Sequence, residues 1–211
     1  MDTHLRLRVS ITLFHQLVFD TPLLHNLAKR TGMFKTFPRA VISFSSRDIR
    51  FVLFQKHGPA EPDVLELRIS CRPSDWQLSS LTQLIWLSVP SLYALERLEL
   101  CESHQPQPWQ EDIEDAQWLE MLRPFSSVKD LVLSVQLAQL VAPVLGALIG
   151  ESVAEELPAL KTIFVEGFLP PGSLPSPWQK AIGSFIAARQ ISGLPVAVHY
   201  LGCQVNALGD P

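Results

Sequence analysis

A strand-like phrase returns through the second half of this chain every thirty-odd residues: LERLEL from Leu95, VKDLVL from Val128, LKTIFV from Leu160 and a looser VAVHYL from Val196. Self-similarity at such a period marks a repeat array, in which each unit buries its apolar face only by stacking on its neighbours. Apolar residues fall at the first, fourth and sixth places. Leu95, Leu98 and Leu100 thus correspond to Val128, Leu131 and Leu133, and to Leu160, Ile163 and Val165. A surface built this way serves binding and carries no obligatory chemistry.

Between the phrases lie segments of helical period. Residues 113–122 precede the strand at Val128, 136–150 precede that at Leu160, and 178–190 precede that at Val196. Strand, helix and strand in alternation imply a parallel sheet. The helix from Gln136 sets Leu137, Leu140, Val141, Val144, Leu145, Leu148 and Ile149 on one stripe facing that sheet. Pro143 lies inside it and is expected to bend or split it near Gln139, since proline removes a backbone donor. The fold class expected is α/β: an irregular leucine-rich-repeat-like solenoid with a parallel sheet on one side, helices on the other, and an N-terminal hairpin.

Toward the N-terminus, Leu5, Leu7, Val9, Ile11 and Leu13 alternate with polar residues as in a half-buried strand, and 17–30 reads as a helix. Residues 40–44 and 49–54 form a hairpin across Ser45-Ser46-Arg47-Asp48. A further strand falls at 64–69, and 78–87 reads as a helix or irregular crossover before Leu95. A strand so near the first residue leaves an edge without a preceding element, so the chain is expected to be truncated at its N-terminus. One domain is expected over 1–205, followed by a frayed tail at 206–211, where periodicity is lost.

The charge balance, 17 Lys and Arg against 21 Asp and Glu for a formal net charge of −4, gives no footprint for nucleic acid or an anionic membrane. No basic start followed by an apolar run suggests a secretory signal. The apolar stretch at 137–149 is too short to span a bilayer. Cys71, Cys101 and Cys203 are odd in number and widely spaced, as suits reduced thiols, so a cytoplasmic or nuclear location without disulfides is expected.

Catalytic patterns are largely missing. The glycines form no phosphate-cradling run, and Gly183-Ser184 lacks the flanks of a nucleophile elbow. Cys101 and His104 lack the second ligand pair that structural zinc requires. Glu111, Asp112, Glu114 and Asp115 precede the Trp118-Leu119 run, where carboxylates favour the positive end of a helix. The expectation is therefore no enzyme, no catalytic residue, no metal and no cofactor. One constellation remains: the outward register of the parallel strands, which carries Arg68, Arg97, Glu99, Asp130, Val132, Thr162, Phe164, Glu166 and His199. Mixed charge around Val132 and Phe164 suits a partner-binding face. Equally, both apolar residues could be covered by other segments.

Several phrases exceed any repeat consensus: SCRPSDWQLSSLTQL from Ser70, PWQEDIEDAQWLEMLRPFSSVKDLVLS from Pro108, LPALKTIFVEG from Leu157, TLFHQLVFDTPLL from Thr12 and FIAARQISGLPVAVHYL from Phe185. Over roughly residues 5 to 201 the chain resembles the C-terminal leucine-rich-repeat-like region of F-box proteins from mushroom-forming fungi. The resemblance implies the target-recognition region of an SCF-type ubiquitin ligase, whose F-box docks the Skp adaptor while the repeats hold a protein target. It transfers no catalytic or ligand residue. The family's F-box, a helical module opening with a Leu-Pro-x-Glu-like phrase, has no counterpart before Leu5, so Skp is an expected partner only through an upstream segment. The alternatives are a small α/β enzyme with an unrecognised site and a free-standing structural scaffold.

Overall fold

The computed structural model describes residues 6–12, 37–46, 48–55, 64–70, 74–88, 92–102, 113–148, 152–167 and 174–202. Its strands are β1 (Arg6–Thr12), β2 (Arg39–Phe44), β3 (Asp48–Phe54), β4 (Val64–Ser70), β5 (Arg97–Glu102), β6 (Asp130–Ser134), β7 (Thr162–Glu166) and β8 (Ala197–Leu201). The described helices are α1 (Ser74–Ser88), α2 (Asp115–Leu122), α3 (Val135–Gly146), the single turn α4 (Ser152–Glu155) and α5 (Pro177–Ile191). The strands form one open sheet in the order β1-β4-β3-β2-β5-β6-β7-β8. The expected helix at 17–30 and tail at 206–211 lie outside the described residues.

The sheet is mixed rather than wholly parallel. β3 runs antiparallel to both of its neighbours, β2 and β4, while β1 pairs with β4 in parallel. The reversal originates in the short turn after Phe44. Ser45 Oγ accepts from the Asp48 amide at 3.1 Å, and the Ser45 amide donates to the Asp48 carbonyl at 2.9 Å, so the chain doubles back at once. From β2 onward each new strand, β5 to β8, joins the preceding one in parallel.

These joints repeat atom for atom. The amides of Glu96 and Arg97 both donate to the Pro38 carbonyl, those of Lys129 and Asp130 to Glu96, and those of Lys161 and Thr162 to Lys129. Just before each strand a tight turn closes from Leu95 to Leu92, from Val128 to Phe125 and from Leu160 to Leu157. The thirty-odd-residue period is therefore a physical unit: an apolar turn, a hook onto the neighbour's backbone, a short strand and a returning helix.

All nine apolar residues at the first, fourth and sixth places of the three clear copies are buried, none more than 2% exposed. They join one core with Leu78, Leu81 and Leu84 of α1, Trp118 and Met121 of α2, Leu137 and Val141 of α3, Val153 of α4, and Ile182 and Phe185 of α5. Every described helix thus packs on the same face of the sheet. The fourth copy departs from the sequence alignment by one residue. Ala197 stands beside Thr162, so Val198 and Tyr200 continue the core rows, and Leu201 falls on the opposite face. The change follows from strand alternation, because a shift of one residue exchanges the two faces.

Helix ends follow their sequence signals. Ser134 caps α3 by accepting from the Leu137 amide at 3.3 Å, and Ser176 with Gln179 boxes the start of α5, where Pro177 takes the first turn. α3 continues through Pro143 without splitting; Pro143 and Gln139 both face solvent, so the missing donor falls on the exposed side. α3 and α5 approach closely at Gly146, where a β-carbon would stand 2.8 Å from the Ala181 carbonyl oxygen.

Candidate functional site

The face opposite the helices is laid out in rows by the strand register. One row runs Glu66, Val52, Val41, Glu99, Val132, Phe164 and His199. A second runs Phe54, Arg39, Arg97, Asp130, Thr162 and Ala197. Arg68 stands beside Arg50, and Glu166 between Ser134 and Leu201. All nine residues picked from the sequence therefore share one face, as alternation along in-register strands demands.

Guanidinium groups dominate its chemistry. Arg39 binds Glu99 through two bonds, at 2.8 and 2.9 Å, and Arg97 reaches the same carboxylate at 2.7 Å. Arg50 pairs with Glu66 at 2.7 Å and Arg68 with Asp48 at 2.6 Å. Burial opposes the charge on Glu99, but its bonds to Arg39 and Arg97 outweigh this and hold the carboxyl below its ordinary range. The bond to Glu99 raises Arg39 in turn, and that to Asp48 raises Arg68.

The guanidiniums also lie on rings. Arg39 sits 4.9 Å from the centre of Phe54, and Arg97 reaches across β6 to lie 5.5 Å from that of Phe164. The Phe164 and His199 rings are stacked, 5.4 Å between centres. Whether Val132 and Phe164 were open or covered could not be read from sequence, and the two residues part ways: Val132 is 3% exposed and Phe164 half-buried. Val132 lies between Glu99 and Phe164 in its row, beneath the span of Arg97. It belongs to no part of the core on the helical side. Sequence reasoning did not single out Arg39 or Arg50; alternation from Ala40 and Ile49 held the signal.

The remaining candidates lie elsewhere. Glu114 forms a capping box with Gln117 at the start of α2 and Asp115 occupies its first turn, while Glu111, Asp112, His104, Cys71 and Cys203 lie outside the described residues. Cys101 is half-buried on the open face with its thiol against the Ile42 carbonyl at 3.7 Å. Burial, then the charges of Glu99 and Glu166, push that thiol up. Among the described residues no group of three or more His, Cys, Asp or Glu could hold a metal ion, and no helix is long and apolar enough to cross a membrane. Behind the sheet, Arg189 is wholly buried and donates to the carbonyls of Val153, Pro158 and Leu160 at 3.0, 3.3 and 3.1 Å. Comparison with models of protein families, with curated proteins and with solved structures returns no match.

Proposed function

We propose that this chain is a protein-interaction module, the target-recognition region of an F-box-type protein, and that it holds its target on the face of the sheet opposite the helices. The observation that carries the reading is the repeated joint, in which a pair of amides hooks onto one carbonyl of the preceding unit from Pro38 through Lys129. It supports an irregular leucine-rich-repeat-like solenoid, an architecture that presents one extended sheet face to partners. The row of Glu99, Val132, Phe164 and His199, flanked by arginines, supplies mixed polar and aromatic chemistry suited to protein recognition.

Affinity purification tests the reading with two baits, the chain itself and the full natural gene product, each as wild type and as the Phe164→Ala/His199→Ala variant. Prey lost by the variant, with its thermal melt unchanged, support the face as the target site. Skp and cullin subunits recovered by the full gene product support the ligase assignment. Identical prey for wild type and variant refute the face, and a full gene product without Skp refutes the ligase role.

A further inference from the structure

β8 ends the sheet, and no described strand lies beyond it. Sheets blunt such edges with charge or proline, because bare backbone groups recruit other strands. Every other strand carries at least one Asp, Glu, Lys or Arg, and β1 at the opposite end carries Arg6 and Arg8; β8, reading Ala197-Val198-His199-Tyr200-Leu201, carries none. The four large apolar side chains that stand exposed among the described residues, Leu174, Ile191, Tyr200 and Leu201, all fall in the stretch that holds α5 and β8. The helical layer, by contrast, is finished. Through the middle of α5 the exposed positions are Lys180, Gly183, Ser184, Ala187 and Gln190, so a further helix would find no apolar stripe to pack on. The end of the array thus lacks a strand rather than another strand-and-helix unit.

The backbone of β8 says how that strand would join. The Ala197 amide donates to the Lys161 carbonyl at 2.9 Å, and the Leu201 carbonyl accepts from the Gly167 amide at 3.1 Å. In the alternation of a parallel ladder, Ala197, His199 and Leu201 therefore turn their backbone groups toward β7, while Val198 and Tyr200 turn theirs outward. We propose that β8 pairs with β8 of a second copy of this chain, antiparallel about a two-fold axis at His199. In that register each outward-turned Val198 meets the outward-turned Tyr200 of the other copy, and the two exchange both backbone bonds. A β-branched residue then stands against an aromatic one on the helical side, and Ala197 stands against Leu201 on the open side, small against large. His199 faces its own copy, and because β8 holds no formal charge the pairing opposes no like charges. The two-fold closes the assembly at two copies and joins the sheets edge to edge, with the helices of both on one side. The pairing uses the edge and leaves the open face clear, so it stands or falls apart from the target reading.

Sedimentation of the whole chain from about 10 μM to 1 mM tests it, since an interface of one short strand is small and its Kd should fall on the order of 10–100 μM. Amide exchange over the same range should show the Val198 and Tyr200 amides gaining protection with concentration, while those of Ala197 and His199, already turned to β7, stay as they are. Val198→Pro removes the outward donor and no bond to β7, and should weaken the dimer at least about 5-fold. His199→Lys and His199→Glu, at an exposed position, should each weaken it about 2- to 5-fold by setting like charges face to face, and an equimolar mixture of the two should regain it. Should Val198→Pro lower the thermal melt, the His199 mixture decides alone. A chain that stays monomeric at about 1 mM overturns the proposal. So do oligomers that keep growing with concentration, as β8 added head-to-tail onto β1 would give. A dimer indifferent to both His199 variants, or one whose loss the mixture does not repair, overturns it equally.

Discussion

Arg189→Met tests the account of how the last unit is held together. Arg189 is a fully buried cation on α5 with no carboxylate partner among the described residues, and burial depresses its pKa. It is retained because its guanidinium donates to Val153 and Leu160, both buried acceptors, and to the partly buried Pro158 carbonyl, tying α5 to the turn before β7. Methionine fills much of the same volume but donates nothing. Two buried carbonyls then lose their donor, at about 1–3 kcal/mol each. Relief from burying an uncompensated charge offsets part of this, so the net loss is about 2–4 kcal/mol. For a domain of this size that lowers Tm by roughly 4–16 °C. Urea unfolding of wild type, Arg189→Met and Arg189→Lys, with native-state hydrogen exchange at Leu160 and Ile163, measures it. A methionine variant as stable as the wild type within about 0.5 kcal/mol would refute the reasoning, since surface substitutions alone vary that much.

Two further outcomes follow from the geometry. Gly146→Ala should destabilise by about 1–3 kcal/mol in spite of alanine's better helix propensity, because the new methyl meets backbone rather than a flexible side chain, at 2.8 Å from the Ala181 oxygen and 3.0 Å from its Cα; a raised Tm would show that the two helices part without penalty. The carboxyl of Glu99 is held below its ordinary value of 4.5, so its contribution is present above that pH and is lost as pH falls through the depressed folded-state value. Glu99→Gln should therefore be less stable than wild type at pH 7, with the difference shrinking toward pH 3; a difference constant from pH 7 to 3 would rule out the carboxylate as its source.

Much of this architecture was legible because its signals are local. The 1-4-6 apolar spacing placed Leu95, Leu98 and Leu100 and their counterparts, and alternation then dictated which side Arg97, Glu99, Asp130 and Phe164 would take. The antiparallel course of β3 was readable as a hairpin, yet its insertion between β2 and β4, with β1 added beyond, depends on pairings distant in sequence. The one-residue shift at β8 escaped because VAVHYL is apolar on both alternations, so Val196 and Leu201 offered a false match to the first and sixth places. The burial of Val132 was hidden for another reason. The side chain that crosses it, Arg97, starts a strand away, and no rule of spacing reports where a long flexible stem will lie.

The hairpin of β2 and β3 stands in the middle of the sheet rather than at an end, with β4 and β1 to one side and β5 to β8 to the other. It is also the pairing that closes the shortest loop, through Ser45 and Asp48. Short closures are the least expensive in chain entropy and form earliest. The molecule thus has a seed with two growing edges. β1 must wait for β4 to be laid against β3, whereas on the other side each new unit finds its template already in place. Pulse-labelled exchange during refolding should accordingly protect Val41 and Val52 before Val9 or Val165. On this order β5 to β8 join the sheet one after another without disturbing the pairs already made.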